Sequence, residues 1–262
     1  MIQPHPGRIW LIGGTQESAQ LAIAISQAQL PGIISVTTEA ARGLYTATPE
    51  LPVRVGKLDV AELLQFLSAS SIAAILDASH PYAVEISRLA IAAADQLQIP
   101  YLRYERPELE TTSTDPAIYL DSFATLLAGD YLKGQRVLLT LGYRSLPLFQ
   151  AWQNQAILFA RILPSLDALS AALDAGFTSD RLIALRPPIS LELERALWQQ
   201  WQITLVVTKA SGTAGGEDIK RQLAAELGVT LVIITRPLIH YPQQTRDLAI
   251  ALEFCHQVKL KG

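Results

Sequence analysis

Two kinds of apolar pattern take turns along this chain. Short, nearly continuous apolar runs give way to longer stretches in which apolar residues recur every three or four positions. Arg8 to Ile12 is a run of the first kind and ends in Gly13-Gly14. Thr15 to Ala28 follows with helical spacing, placing Ala19, Ala22, Ile23 and Ser26 on one face. Ile33 to Thr37 and Val53 to Val55 read as further strands. Asp59 is placed to cap a helix carrying Val60, Leu63, Leu64 and Leu67. Ala73 to Leu76 is a buried strand ending at Asp77. Tyr82 to Leu97 is a helix with Ile86, Leu89, Ala90, Ala93 and Leu97 inward, and Pro100 to Arg103 begins the next strand.

From Glu105 to Pro116 the pattern breaks in a Pro-, Thr- and Ser-containing connection. A second alternating series follows. Its strand candidates are Ile118 to Leu120, Arg136 to Thr140, Leu158 to Ile162, Leu182 to Leu185, Thr204 to Thr208 and Thr230 to Thr235. Its helix candidates are Ser122 to Tyr131, Leu166 to Leu173, Leu191 to Trp201, Glu217 to Leu227 and Thr245 to Val258. Alternation of this kind predicts an α/β protein with parallel sheets covered by helices on both faces. Two such sheets would leave a cleft between them. The break places one domain at residues 1–105 and a second at 106–262. Ligands of open parallel sheets bind at the carboxyl ends of strands, so those ends are where function is sought.

Composition narrows the choices. Half of the 262 residues are apolar and 17% are charged, which suits a folded chain with a sizeable core. A net charge of −3 offers no bulk attraction to nucleic acid or to an anionic membrane. Anionic ligands must then be held by local cations and helix ends. One cysteine, Cys255, excludes an internal disulfide and is consistent with a reducing cytoplasm. The opening residues show no signal-peptide pattern, and no apolar run approaches the ~20 residues that span a bilayer. The four histidines, His5, His80, His240 and His256, are scattered, so no metal site is expected.

Candidate chemistry lies just after the strands. Ile12-Gly13-Gly14-Thr15-Gln16-Glu17 joins a strand to a helix, where two glycines let backbone amides approach a phosphate. The third glycine of G-x-G-x-x-G is missing, and a plain tight turn fits the same residues. At the second strand's end, Thr37, Thr38 and Arg42 suit a ribose 2′-phosphate and favour NADP over NAD, with Glu39 opposing. Arg42 is equally well read as a solvated surface cation. His80, in Asp77-Ala78-Ser79-His80-Pro81-Tyr82-Ala83, is placed either to serve structure or to donate a hydrogen bond or proton. Thr208-Lys209-Ala210-Ser211-Gly212-Thr213-Ala214-Gly215-Gly216 lacks the Walker order. It reads as an anion loop or as a flexible surface loop. Arg144, Arg161, Arg186 and Arg236 are the remaining cations on or after strands.

Taken in order, these segments resemble the precorrin-6A reductase family. The resemblance rests on Ile12–Glu17, Asp77–Ala83, Ala160-Arg161-Ile162-Leu163-Pro164, Val207–Gly212 and Thr235-Arg236-Pro237-Leu238, and spans residues 9 to 238. Where many members carry Gly-Pro, this chain has Arg186-Pro187-Pro188. The resemblance implies two Rossmann-like domains with NADPH in the cleft between them. It implies reduction of one ring double bond of precorrin-6A, or of its cobalt-containing equivalent, to precorrin-6B on the route to cobalamin. The partner is then a tetrapyrrole rich in carboxylates, and the location cytoplasmic.

The resemblance also distributes roles. Gly13, Gly14 and Thr15 would hold the pyrophosphate and Thr38 with Arg42 the 2′-phosphate, with Glu17 a further cofactor-binding residue. Ser79, His80, Ser211 and Gly212 would complete the cofactor site. His80, Tyr82 and Lys209 are the catalytic candidates, and Arg144, Arg161, Lys209 and Arg236 would bind substrate carboxylates. A short-chain dehydrogenase is excluded, because none of the eight tyrosines has a lysine four residues later. A non-catalytic NADP-sensing module is the remaining alternative.

Overall fold

A computed structural model describes residues 7–110 and 116–259. His5 and residues 111–115 of the expected connection lie outside the described residues. The chain divides into two compact units, Met1–Pro107 with Leu238–Gly262, and Glu108–Pro237.

The first unit begins with β1 (Arg8–Ile12), α1 (Gln16–Gln27), β2 (Gly32–Val36), the short α2 (Glu39–Arg42), β3 (Val53–Val55), α3 (Val60–Ala69), β4 (Ile72–Asp77), α4 (Val84–Leu97) and β5 (Tyr101–Tyr104). Local chemistry sets these starts. Thr15 and Ser18 form a capping box at α1, and Asp59 and Glu62 form another at α3, each satisfying amides the helix itself leaves unpaired. The second unit holds β6 (Ile118–Leu120), α5 (Phe123–Ala128), β7 (Arg136–Leu139), β8 (Ile157–Ile162), α6 (Leu166–Asp174), β9 (Leu182–Ala184), α7 (Leu191–Gln200), β10 (Leu205–Lys209), α8 (Glu217–Leu227) and β11 (Thr230–Ile234). The chain then returns to the first unit as β12 (Gln244–Thr245) and α9 (Leu248–Lys259).

Each unit carries a six-stranded parallel sheet. The orders are β12-β5-β4-β1-β2-β3 and β6-β11-β10-β7-β8-β9. In the first sheet the chain runs outward from β1 to β3, then crosses back to β4 and β5, so direction of winding reverses between β1 and β4. In the second it reverses between β7 and β10. Such reversals part the loops at the strand carboxyl ends and open a crevice there. Near-continuous apolar strands such as β1 and β2 are buried on both faces, as a parallel sheet requires. In the first unit, Leu21, Ala22 and Ile25 of α1 join Ala251 and Cys255 of α9 on one face. Leu63 and Leu67 of α3 join Ala90, Ala93 and Ala94 of α4 on the other. In the second unit Trp198, Leu223 and Ala224 of α7 and α8 pack against Val206, Leu231 and Ile233.

The expected boundary placed all of 106–262 in the second domain, and this is corrected at the end. Gln244 and Thr245 pair in parallel with Arg103 and Tyr104, and α9 seals the first core. An amphipathic terminal helix carries no mark of which sheet it will cover. Residues 143–152, to which the sequence pattern assigned no element, form an extended 3-10 helix, with Leu146 and Phe149 buried.

Candidate functional site

The first crevice lies where β1 and β4 end. Gly14 adopts φ +105°, and a Cβ built there would meet nothing within 4 Å, so the backbone is open at this point. Gly13 is crowded: a Cβ would lie 2.2 Å from the Tyr45 hydroxyl. That hydroxyl accepts the Gly14 N–H at 2.7 Å and lies 2.7 Å from Ser18 Oγ. Ser18 Oγ already donates to the Thr15 carbonyl (2.6 Å) and accepts the Thr15 N–H (3.0 Å). Its single proton is thus used, and the Tyr45 O–H donates to it. Burial pushes the Tyr45 phenol pKa up, which keeps that proton in place. Thr15 Oγ1 donates to the Ala78 carbonyl at 2.9 Å and accepts the Ser18 N–H. The amides of Gly14 and Thr15, expected to face a phosphate, are therefore bonded within the protein.

Across the crevice, the carboxyl end of β4 is organised around a buried carboxylate. Asp77 is fully buried. It accepts from the Ser79 N–H (3.0 Å), Ser87 Oγ (2.6 Å), Tyr101 Oη (2.7 Å) and Arg103 (2.9 Å). Arg103, 1% exposed, also donates to Ser79 Oγ (3.1 Å), the Ser79 carbonyl (3.0 Å) and Glu105 (2.9 Å). Burial opposes the Arg103 charge, but Asp77 and Glu105 outweigh it, and the pKa lies above its ordinary value. His80 beyond is exposed, and its Nδ1 accepts the Tyr82 N–H at 3.2 Å. In a neutral ring this places the proton on Nε2. Tyr82 is half-buried, its ring 5.7 Å from that of His80.

Glu17 pairs with Arg106 at 3.0 Å. Burial raises the Glu17 pKa, but its own backbone N–H and Arg106 hold it below the usual value. Thr15, Glu17, Ser79, Arg103 and Arg106 line one small depression. Sequence reasoning passed over Arg103, Arg106 and Tyr45. The two arginines stand at the end of β5, the strand beside β4, and that placement was the available signal. Nothing in the sequence marks Tyr45, which reaches the turn from a segment thirty-one residues beyond Gly14.

At the end of β2, Thr38 caps α2 by accepting the Ala41 N–H at 3.3 Å. Arg42 is exposed, pairs with Glu39 at 3.3 Å and donates to the Val53 carbonyl.

The second crevice lies between the ends of β7 and β10. Arg144 follows β7 and is exposed. Lys209 ends β10 and lies over the Phe123 ring at 5.6 Å. Burial, aided by the Arg144 charge, lowers its pKa to about 8. The glycine-rich loop after Lys209 is pinned rather than flexible. Glu217, 1% exposed, accepts the Gly212 N–H at 2.8 Å, while buried Lys220 donates to the carbonyls of Gly215 (2.8 Å) and Gly216 (3.0 Å). Ser211 is buried against Gly215. The Gly212 amide of the loop expected to attract an anion is thus already taken by the Glu217 carboxylate. Two of the expected substrate cations also have acidic partners. Arg161 forms a largely buried ion pair with Glu194. Arg236 pairs with Glu108 at 3.2 Å and donates to the Ala210 carbonyl.

Among the described residues no group of three His, Cys, Asp or Glu side chains is placed to hold a metal, and no helix is long and apolar enough to cross a membrane.

Residues 8–256 match the family model described as precorrin-6x reductase CbiJ/CobK. The chain is 47% identical over 252 residues to the cobalt-precorrin-6A reductase of Synechocystis sp., covering 95% of this chain and 96% of that protein. It is 33% identical over 236 residues to the cobalt-precorrin-6A reductase of Priestia megaterium, covering 89% and 92%. A solved structure of CobK precorrin-6A reductase matches with a TM-score of 0.78 at 24% identity, over 96% of this chain and 97% of that one, which shows a shared fold. By its matching model and by its relatives, this chain belongs to the precorrin-6x reductase family.

Proposed function

We propose that the chain reduces one ring double bond of precorrin-6A, or of its cobalt-containing counterpart, in cobalamin biosynthesis, with NADPH as the reductant. The observation that carries the reaction is the family match over residues 8–256. Identity of 47% to a cobalt-precorrin-6A reductase favours the cobalt-containing substrate.

The open backbone at the end of β1 supports a dinucleotide there. Gly14 is open at the turn, so the backbone can lie against a diphosphate that any side chain would fend off. The Gly14 N–H, now given to the Tyr45 hydroxyl, would turn to a phosphate oxygen on binding. Gly13 and Thr15 hold the turn in shape. Arg106 neutralises Glu17, so the first turn of α1 does not repel the diphosphate. Thr38 and Arg42 would take the 2′-phosphate, and Ser79, at the end of β4 in the same unit, would complete the cofactor's surroundings there.

NADPH, when bound, supplies the hydride to one end of the ring double bond. The protein must align the acceptor and deliver a proton to the other end. His80, exposed to solvent, is the donor: it would give up the Nε2 proton from its imidazolium form and take another from solvent, and Tyr82 is placed beside it to orient the ring. Lys209 and Arg144 bind carboxylates of the macrocycle as charge-assisted partners. Arg161 and Arg236 serve the fold through Glu194 and Glu108.

The test is to mix the protein with NADPH and precorrin-6A, in cobalt-free and cobalt-containing forms, and follow loss of the reduced-nicotinamide absorbance. Turnover is expected with at least one form. Binding of NADPH without oxidation would instead support a sensor.

A further inference from the structure

We propose that Arg103 is a positioning residue that fixes the Ser79–His80 loop for proton delivery, using Asp77 as its anchor. The proposal rests on the reading that His80 serves the reduction.

The geometry runs from the sheet outward. Arg103 sits in β5 and Asp77 ends the neighbouring β4, and the two are paired in strand register. Their ion pair at 2.9 Å is sealed from water, with exposures of 1% and 0%. Ser87 and Tyr101 occupy the second Asp77 oxygen. Tyr241, from the segment returning ahead of β12, stacks on Tyr101 and lies 5.3 Å from the Arg103 guanidinium.

A buried ion pair is weak evidence for stability by itself, because desolvation consumes most of its gain. What this pair does locally is more telling. Arg103 directs two further N–H groups at one residue, to Ser79 Oγ at 3.1 Å and to the Ser79 carbonyl at 3.0 Å. The Ser79 N–H returns to Asp77. Ser79 is thereby held at its amide, its hydroxyl and its carbonyl, and Thr15 holds the preceding carbonyl of Ala78. His80 is the next residue, and its ring is exposed. A planar guanidinium fork can make these bonds together, whereas an ammonium cannot reproduce that geometry. The Asp77–Arg103 pair therefore sets where the His80 backbone leaves the sheet.

A double-mutant cycle of Arg103→Lys and His80→Ala tests this, measured as kcat and KM with NADPH and the tetrapyrrole. Arg103→Lys keeps the charge beside Asp77 but loses the fork. In the wild-type background its kcat should fall about 100-fold, the loss that a small misplacement of a reacting group causes. KM for NADPH should stay within about threefold. In the His80→Ala background the same change should cost less than about threefold, because Arg103 acts through His80. Equal losses in both backgrounds would show general loosening and overturn the proposal. So would unchanged kcat in Arg103→Lys. Should Arg103→Lys fail to fold, Ser79→Ala, which removes the hydroxyl leg alone, enters the same cycle with the same criterion. If the wild-type protein oxidises no NADPH, the functional reading itself has failed, an outcome distinct from additivity in an active enzyme.

Discussion

The Tyr45 hydroxyl lies 2.7 Å from the Gly14 amide nitrogen and accepts its N–H, which in the function proposed above is the acceptor position of a cofactor phosphate oxygen. The phenol is buried and donates its O–H to Ser18 Oγ. Removing it frees the amide without enlarging any side chain. Tyr45→Phe should therefore tighten NADPH binding about fivefold, equivalent to the ~1 kcal/mol of a typical hydrogen bond that no longer has to be broken. Fluorescence titration of the reduced nicotinamide measures this. Weaker binding in Tyr45→Phe would mean that the diphosphate does not reach Gly14.

Glu194 and Arg161 form a largely buried pair in which Glu194 also accepts the Trp198 indole N–H at 3.1 Å. Removing one partner leaves a buried charge without compensation. Glu194→Ala should lower stability by about 3–5 kcal/mol in urea unfolding. The double change Arg161→Met with Glu194→Leu should recover most of that loss. An unchanged midpoint in Glu194→Ala would return Arg161 to the set of substrate cations.

Both strand-end loops that matter were visible in the sequence, because a buried parallel strand is an apolar run and its end is marked by glycine or a polar residue. Gly13-Gly14 after β1 and Lys209 through Gly216 after β10 were legible for that reason. The reversal points that make them neighbours of Asp77 and Gly142 were not, since strand order depends on long-range pairing. Thr15 was expected to face a ligand but spends its hydroxyl on Ala78 and on the α1 cap. The Ser211–Gly216 loop was expected to offer free amides, yet Glu217 and Lys220 from the following helix take up its backbone. Helical spacing identified α8 but could not show that two of its charges point inward. Arg103 was read only as part of a beginning strand, because its partner Asp77 lies on another strand twenty-six residues away.

Arg42 is held by Glu39 at 3.3 Å and by the Val53 carbonyl at 3.2 Å, both exposed to solvent. An exposed pair of this kind is weak and yields readily to a phosphate. Arg42→Ala should raise the Kd for NADPH about tenfold, in line with loss of a charge-assisted hydrogen bond, while leaving the Kd for NADH unchanged. Glu39→Gln should move NADPH affinity the other way, because the competing carboxylate is gone. Equal effects on both coenzymes in a direct titration would place the 2′-phosphate elsewhere.

Lys209 has its pKa lowered to about 8 by burial and by Arg144, so the ammonium is present below pH 8 and is lost as pH rises through it. If that cation holds a carboxylate of the macrocycle, kcat/KM for the tetrapyrrole should fall above pH 8, since this ratio reports the free enzyme. A bound carboxylate favours the charged form, so the fall in kcat should appear at higher pH. Lys209→Met should show low kcat/KM at every pH and no break near 8. Arg144→Ala removes the neighbouring like charge and should shift the break upward, while weakening substrate binding on its own account. The NADPH Kd should be indifferent to pH across this range in all three proteins. A break that persists in Lys209→Met would assign the titration to another group and remove Lys209 from substrate binding.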